Sequence, residues 1–209
     1  MEQSYVITKI ERQQRSDSRV SVYVNGTYAF SLTYDQVLQT KIKKDLEITS
    51  VQLEEFKKIS DRGKIRARAL EWALNRPRSE SELKGYLIRK KADKEGIAEI
   101  LEEFKIKNYI NDDQFASWLA DTRGRKNKSS RAIRAELQSK GISSETIQSI
   151  VSKQAEYSDT EAIVKLVNKL RKRTKYQDDK KLIPYLLSKG FYYEDIKHTL
   201  QDLGDTEQD

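Results

Sequence analysis

The chain has one histidine, His198, and no cysteine, so few of its side chains could act as acid, base, nucleophile or metal ligand. His198 follows Ile196 by two on a segment whose apolar face is Ile196, Leu200 and Leu203. Helical geometry therefore predicts that it points to solvent, and no metal constellation can be built around it. No G-x-x-x-x-G-K-[ST] run exists, which excludes a P-loop for nucleotide hydrolysis. The carboxylate pairs Asp112-Asp113 and Asp178-Asp179 fall where helix N-termini favour negative charge, so capping accounts for them better than catalysis. The expectation is a protein that is not an enzyme and that uses neither cofactor nor metal.

Cations are what the chain does offer in quantity. The run from Arg123 to Arg131 holds Arg123, Arg125, Lys126, Lys128 and Arg131. On a helix starting there, Arg131 and Arg134 fall about 160° and 100° from Ile133, on an exposed face. Such an edge suits the phosphates of a nucleic acid or an acidic protein groove. Weaker candidates are Arg76 and Arg78 around Pro77, and Arg171, Lys172 and Arg173, which fill the corresponding connection further along. Trp72 and Trp118 occupy apolar stripes and read as structural rather than as base-stacking platforms.

The charge ledger agrees. Lys+Arg number 40 against 33 Asp+Glu, a net charge of +7, with 35% charged and 36% hydrophobic residues in 209. That balance favours an extended helical protein over a compact enzyme, and the net charge is too small to keep the chain unfolded. The excess lies in the middle: residues 61–110 carry 13 basic and 9 acidic groups, and 111–157 carry 8 and 6. The two flanks, 1–60 and 158–209, are near neutral. The absence of thiols gives no sign of an oxidising compartment, and there is neither a run of 18 apolar residues nor a signal-peptide pattern, so a soluble cytoplasmic protein is expected.

The elements that must carry these side chains come in two kinds. Val20, Val22 and Val24 alternate, Asn25-Gly26 follows, and Tyr28, Phe30 and Leu32 alternate again, which predicts a hairpin with strands 20–24 and 27–32 on a type I′ turn. Val6, Ile7 and Ile10 supply a third strand, because a lone hairpin is marginal in water. Residues 33–39 read as a short helix, and Thr49 with Gln52 as a capping box opening a helix through Ile59. Residues 1–60 form a small module with a β-hairpin.

From residue 61 the periodicity is helical only, and it repeats. A shift of 50 residues and then of 49 superposes Leu83, Ile133 and Leu182; Leu87, Leu137 and Leu186; Ile97, Ile147 and Ile196; and Leu101, Val151 and Leu200. Lys140-Gly141 and Lys189-Gly190 mark the end of the second helix in two copies; the first has Lys91-Ala92 instead. Another helix precedes each pair, over 65–74, 112–122 and 159–170. The fold class is mainly α: three tandem three-helix repeats, 61–110, 111–157 and 158–209, behind the N-terminal module.

These residues resemble the RecX family of regulatory proteins, modulators of the RecA recombinase. The resemblance rests on Arg76-Pro-Arg-Ser-Glu-Ser-Glu-Leu83, Asn108-Tyr-Ile-Asn-Asp-Asp-Gln-Phe-Ala116, Ile133-Arg-Ala-Glu-Leu-Gln-Ser-Lys-Gly-Ile142 and Leu186-Leu-Ser-Lys-Gly-Phe191, in that order. The chain departs from the family pattern at Lys91-Ala92 and at Ser129-Ser130. The resemblance implies an elongated, monomeric array of helix-turn-helix-like units that lies along the groove of the RecA–DNA filament. There it would restrain strand exchange, ATP hydrolysis and coprotease activity, by blocking the groove or promoting net disassembly, and so regulate DNA repair, homologous recombination and the SOS response. Its partners would be the RecA filament and, more weakly, DNA. The alternative is an independent helix-turn-helix DNA-binding protein. Its reading helices would begin Lys94-Glu-Gly, Ser144-Glu-Thr and Tyr193-Glu-Asp, starts whose acids repel phosphates.

Overall fold

The computed structural model describes residues 4–14, 18–153 and 159–205. Contacts divide the chain into two compact units, Met1–Asn75 with Gly85–Glu103, and Arg76–Lys84 with Phe104–Asp209.

In the first unit, β1 (Tyr5–Arg12), β2 (Arg19–Val24), β3 (Thr27–Thr33) and β4 (Glu47–Ile48) form an antiparallel sheet in the order β3-β2-β1-β4. The predicted turn is present: Asn25 and Gly26 have φ of 48° and 80°, the two left-handed residues that a type I′ turn requires. The two-residue β4 has no counterpart in the sequence reading, being too short to show alternation. Thr33 and Thr49 both close capping boxes, with Gln36 and Gln52, and open α1 (Tyr34–Thr40) and α2 (Ser50–Leu74).

The sequence pattern suggests one helix to Ile59 and another from Ile65, but α2 runs unbroken through both. Ile7, Val22, Phe30 and Leu32 on the sheet bury against Leu53 and Phe56 of α2. Deeper along the same helix, the Ser60 hydroxyl donates to Ser31 O at 2.6 Å and accepts from Ser31 N at 3.3 Å. Gly63, mid-helix, is where α1 crosses: a Cβ there would lie 2.6 Å from the Gln36 amide nitrogen, which donates to Ile59 O. α3 (Glu80–Arg89) and α4 (Lys94–Ile106) follow. α4 is tied to α2 by the Arg62 guanidinium, paired with Asp93 and with Glu95 at 2.7 Å, and by the pair Arg66–Glu103.

The second unit contains α5 (Asp112–Gly124), α6 (Ser130–Ser139), α7 (Ser144–Lys153), α8 (Asp159–Leu170), a 3-10 turn at Thr174–Tyr176, α9 (Asp179–Ser188) and α10 (Tyr193–Asp205). The repeat register holds. α3, α6 and α9 begin at 80, 130 and 179, and α4, α7 and α10 at 94, 144 and 193, the same shifts of 50 and 49. Leu83, Ile133 and Leu182 are buried, as are Leu87, Leu137 and Leu186. Phe115, Leu119, Leu137 and Ile147 centre one core, and Ile163, Leu166, Leu186 and Ile196 the next. The boundary at residue 157 lies outside the described residues.

Neighbouring copies in this unit are joined by one arrangement, used twice. The Ser79 hydroxyl accepts from Glu82 N to cap α3 and donates to Lys140 O at the end of α6, while Glu80 N donates to Asp112 at 2.8 Å. One copy later Ser129 caps α6 through Ala132 N, its own amide donates to Lys189 O at 3.2 Å, and Ser130 N donates to Asp159 at 3.0 Å. The glycines after α6 and α9 permit this approach. A Cβ on Gly190 would lie 2.6 Å from the Ala132 Cβ, and one on Gly141 3.0 Å from the Ser81 Cβ. Lys91 adopts the same left-handed turn, φ 59°, with a full side chain. It belongs to the first copy, where no earlier copy's serine has to be received, so glycine is not required.

Candidate functional site

The basic loop begins at the end of α5. Gly124, Arg125 and Lys126 turn the chain, Asn127 enters the left-handed region at φ 50° and donates to Gly124 O at 2.7 Å, and Ser129 starts α6. The predicted cations divide here into two groups. Arg125, Lys126 and Arg134 are exposed, Arg134 with a 3.4 Å contact to the Gln148 side chain. Arg123 instead grips Glu136 of α6 through two hydrogen bonds, at 2.7 and 2.5 Å. Those bonds raise the guanidinium pKa and hold the Glu136 carboxyl below its ordinary value. Lys128 and Arg131 lean on the end of α9: Lys128 Nζ reaches Ser188 O at 3.5 Å, and Arg131 Nε donates to Gly190 O at 2.9 Å with its guanidinium 4.4 Å from the Tyr192 ring centroid. Cations at a helix C-terminus satisfy its open carbonyls and its dipole.

Arg76 and Arg78 converge on one carboxylate, Glu82, which Lys140 approaches from α6 at 3.1 Å. The Arg78 and Glu82 side chains are only 11% and 12% exposed. Arg76 also lies over the Trp118 ring at 4.7 Å. Its Nη2 donates to Glu82 Oε1 at 3.1 Å, whereas its 3.0 Å approach to Oε2 is charge proximity without an aligned hydrogen bond. Burial pushes the Glu82 carboxyl up, but the bonds and charges of Arg76 and Lys140 outweigh it and leave the pKa lowered. In the third copy Arg171 pairs with Asp179 at 2.5 Å and donates to Gln177 O, while Lys172 and Arg173 are exposed.

Seven of the eleven cations singled out by sequence, Arg76, Arg78, Arg123, Lys128, Arg131, Arg134 and Arg171, thus have partners inside the protein. Spacing along the chain could not show this for Lys128 and Arg131, whose partners Ser188 and Gly190 are 60 and 59 residues away. His198 is exposed, as expected, with Nδ1 3.0 Å from Asp202. Asp112 does serve a helix N-terminus, but that of α3 rather than its own, and burial raises its pKa. Among the described residues no group of three or more His, Cys, Asp or Glu could hold a metal ion, and no helix is long and apolar enough to cross a membrane.

These features define a basic protein of three-helix repeats behind a four-stranded module. Residues 5–49 match the model for the regulatory protein RecX N-terminal domain, and residues 111–149 that for the second three-helix domain of RecX. The regulatory protein RecX of Bacillus licheniformis is 30% identical over 201 residues, spanning 94% of this chain and 76% of that protein. The RecX of a Listeria monocytogenes strain is 30% identical over 193 residues, 88% of this chain and 71% of its own. The chain belongs to the RecX family of regulatory proteins. A crystal structure of a regulatory protein RecX shares the fold, with a TM-score of 0.66 at 24% identity over 93% of this chain and 99% of that one. RecX from Lactobacillus salivarius superposes with a TM-score of 0.55 at 24% identity over 69% and 97%.

Proposed function

We propose that this protein binds the RecA–DNA filament and restrains its recombinase, ATPase and coprotease activities, without catalysing a reaction itself. The observation that carries this reading is the match to regulatory RecX proteins along nearly the whole chain. The charge distribution supports it, because a nucleoprotein filament presents phosphates to a basic surface. Contact with the filament falls first to Arg125, Lys126 and Arg134 of the middle copy and to Lys172 and Arg173 of the third, which are exposed. Arg76, Arg78, Arg123, Lys128, Arg131 and Arg171 support that surface by fixing the helices that present it. Sequence reading by a helix-turn-helix is disfavoured, since the first turns of α4, α7 and α10 carry Glu95, Glu145, and Glu194 with Asp195.

Charge reversal tests the assignment. Arg125→Glu, Lys126→Glu and Arg134→Glu together should weaken binding to RecA-coated DNA and flatten its salt dependence, while the melting temperature stays unchanged. Unchanged binding in that variant would remove these residues from the interface.

A further inference from the structure

The two junctions between copies in the second unit share one plan and differ in what fills them. The connections leading into α3 and α6, residues 75–79 and 125–129, are equally long. The first helices of the following copies, α5 and α8, begin at 112 and 159, and this shift of 47 places Leu119 on Leu166 and Ala120 on Val167, all of them buried. It also pairs Asp112 with Asp159, which accept from the equivalent amides of Glu80 and Ser130.

The same shift sets Phe115 against Ala162 and Trp118 against Lys165. At the first junction Phe115 is fully buried with its ring centroid 5.9 Å from that of Trp118, and the Arg76 guanidinium lies 5.9 and 4.7 Å from the two centroids. At the second junction the sequence has neither ring, and a cavity of about 410 Å³ opens between α6, α8 and the loop that follows α5. Ile133 and Ala162 give it an apolar wall; Arg125, Lys128 and Lys165 line it together with the carboxylates of Asp121 and Asp159. Asp159 accepts from both the amide and the hydroxyl of Ser130 at 3.0 Å, and Lys165 Nζ lies 3.7 Å from Glu161.

Protein interiors are close-packed, and a concave space of this size with an apolar wall and a few charged groups has the form of a small-molecule site. The rings present at one junction and missing at the other set the shape of an occupant, and the excess of cations over carboxylates sets the sign of its charge. We propose that this cavity binds a small aromatic anion, one ring or two fused rings bearing a carboxylate, sulfonate or phosphate. The ring takes the place of Phe115 and Trp118 against Ile133 and Ala162, Arg125 supplies the cation that Arg76 supplies at the first junction, and the acid faces Lys128 and Lys165. This goes beyond filament regulation, and its test contains no RecA, so its failure would leave that reading standing.

The full-length protein is titrated with 8-anilinonaphthalene-1-sulfonate, a fluorescent aromatic anion, and with N-phenyl-1-naphthylamine, the same ring system without the sulfonate. A saturable rise in fluorescence at one site per chain is expected with the sulfonate, and the neutral amine should bind about ten-fold more weakly. Ala162→Phe with Lys165→Trp, which copies the residues of the first junction, should abolish saturable binding while the melting temperature stays unchanged or rises. Arg125→Gln with Lys165→Gln should weaken the sulfonate about ten-fold and leave the amine unchanged, and remains informative if the filled variant fails to fold. Sulfonate binding that is unchanged in either variant overturns the proposal, as does neutral amine bound as tightly as the sulfonate. So does dye uptake that never saturates, and so does displacement of the dye by oligo-dT that survives added salt, which would assign the cavity to a base of a nucleic acid.

Discussion

The amide of Ser129 donates a hydrogen bond to the carbonyl of Lys189 at 3.2 Å, so the residue that starts the second helix of the middle copy also closes the second helix of the third. The approach exists only because residue 190 lacks a Cβ. Gly190→Ala should therefore destabilise the protein by about 1–3 kcal/mol or more, from a φ of 101° and contact with Ala132 together. Lys91→Gly, at the matching turn of the first copy, should cost no stability. Denaturant melts of both variants check the pair, and a Gly190→Ala loss no larger than that of Lys91→Gly would mean the junction does not need the glycine.

Leu137 is fully buried in the core shared by α5, α6 and α7. Leu137→Ala should cost roughly 2–5 kcal/mol, the range for buried leucines. A loss under about 0.5 kcal/mol, the size usual at surface sites, would show the apolar register to be misread.

Glu82 gives the acid limb of stability a specific origin. Its folded pKa lies below the ordinary 4.5, so the stabilisation it confers is complete above that value and is lost as pH falls through the lowered one. Glu82→Gln should lower the melting temperature near pH 7 and converge on the unsubstituted protein in acid. Equal differences at pH 7 and pH 3 would show that the carboxylate charge is not what Arg76, Arg78 and Lys140 require.

How much of this was legible in the sequence follows from the range of each interaction. The hairpin, both capping boxes and the repeat register depend on neighbours or on fixed shifts, and Asn25-Gly26, Thr33, Thr49 and Leu83 with its counterparts show them directly. The roles of the cations depend on partners far along the chain. Arg123 reads as a phosphate contact until Glu136 is seen across the helix pair, and Lys128 and Arg131 do so until the end of α9 is placed beneath them. Trp72 reads as core because its stripe is apolar. Its stacking on Tyr86 is a relation between two helices that a single helical wheel does not contain.

The pairs Arg62–Asp93 and Arg66–Glu103 join elements on the C-terminal side of residue 60. We propose on that basis that the N-terminal module is separable there, even though α2 passes through the boundary. Deletion of residues 1–60 should leave a helical protein that melts cooperatively by circular dichroism. An unfolded product would mean that the sheet and the first copy share one core.

The central claim is that the protein restrains RecA on DNA, and the rate of RecA-dependent ATP hydrolysis on single-stranded DNA tests it most directly. The rate should fall with increasing amounts of this protein, and fall less with the variant reversed at Arg125, Lys126 and Arg134. A rate that stays constant up to a molar excess over RecA would contradict the account.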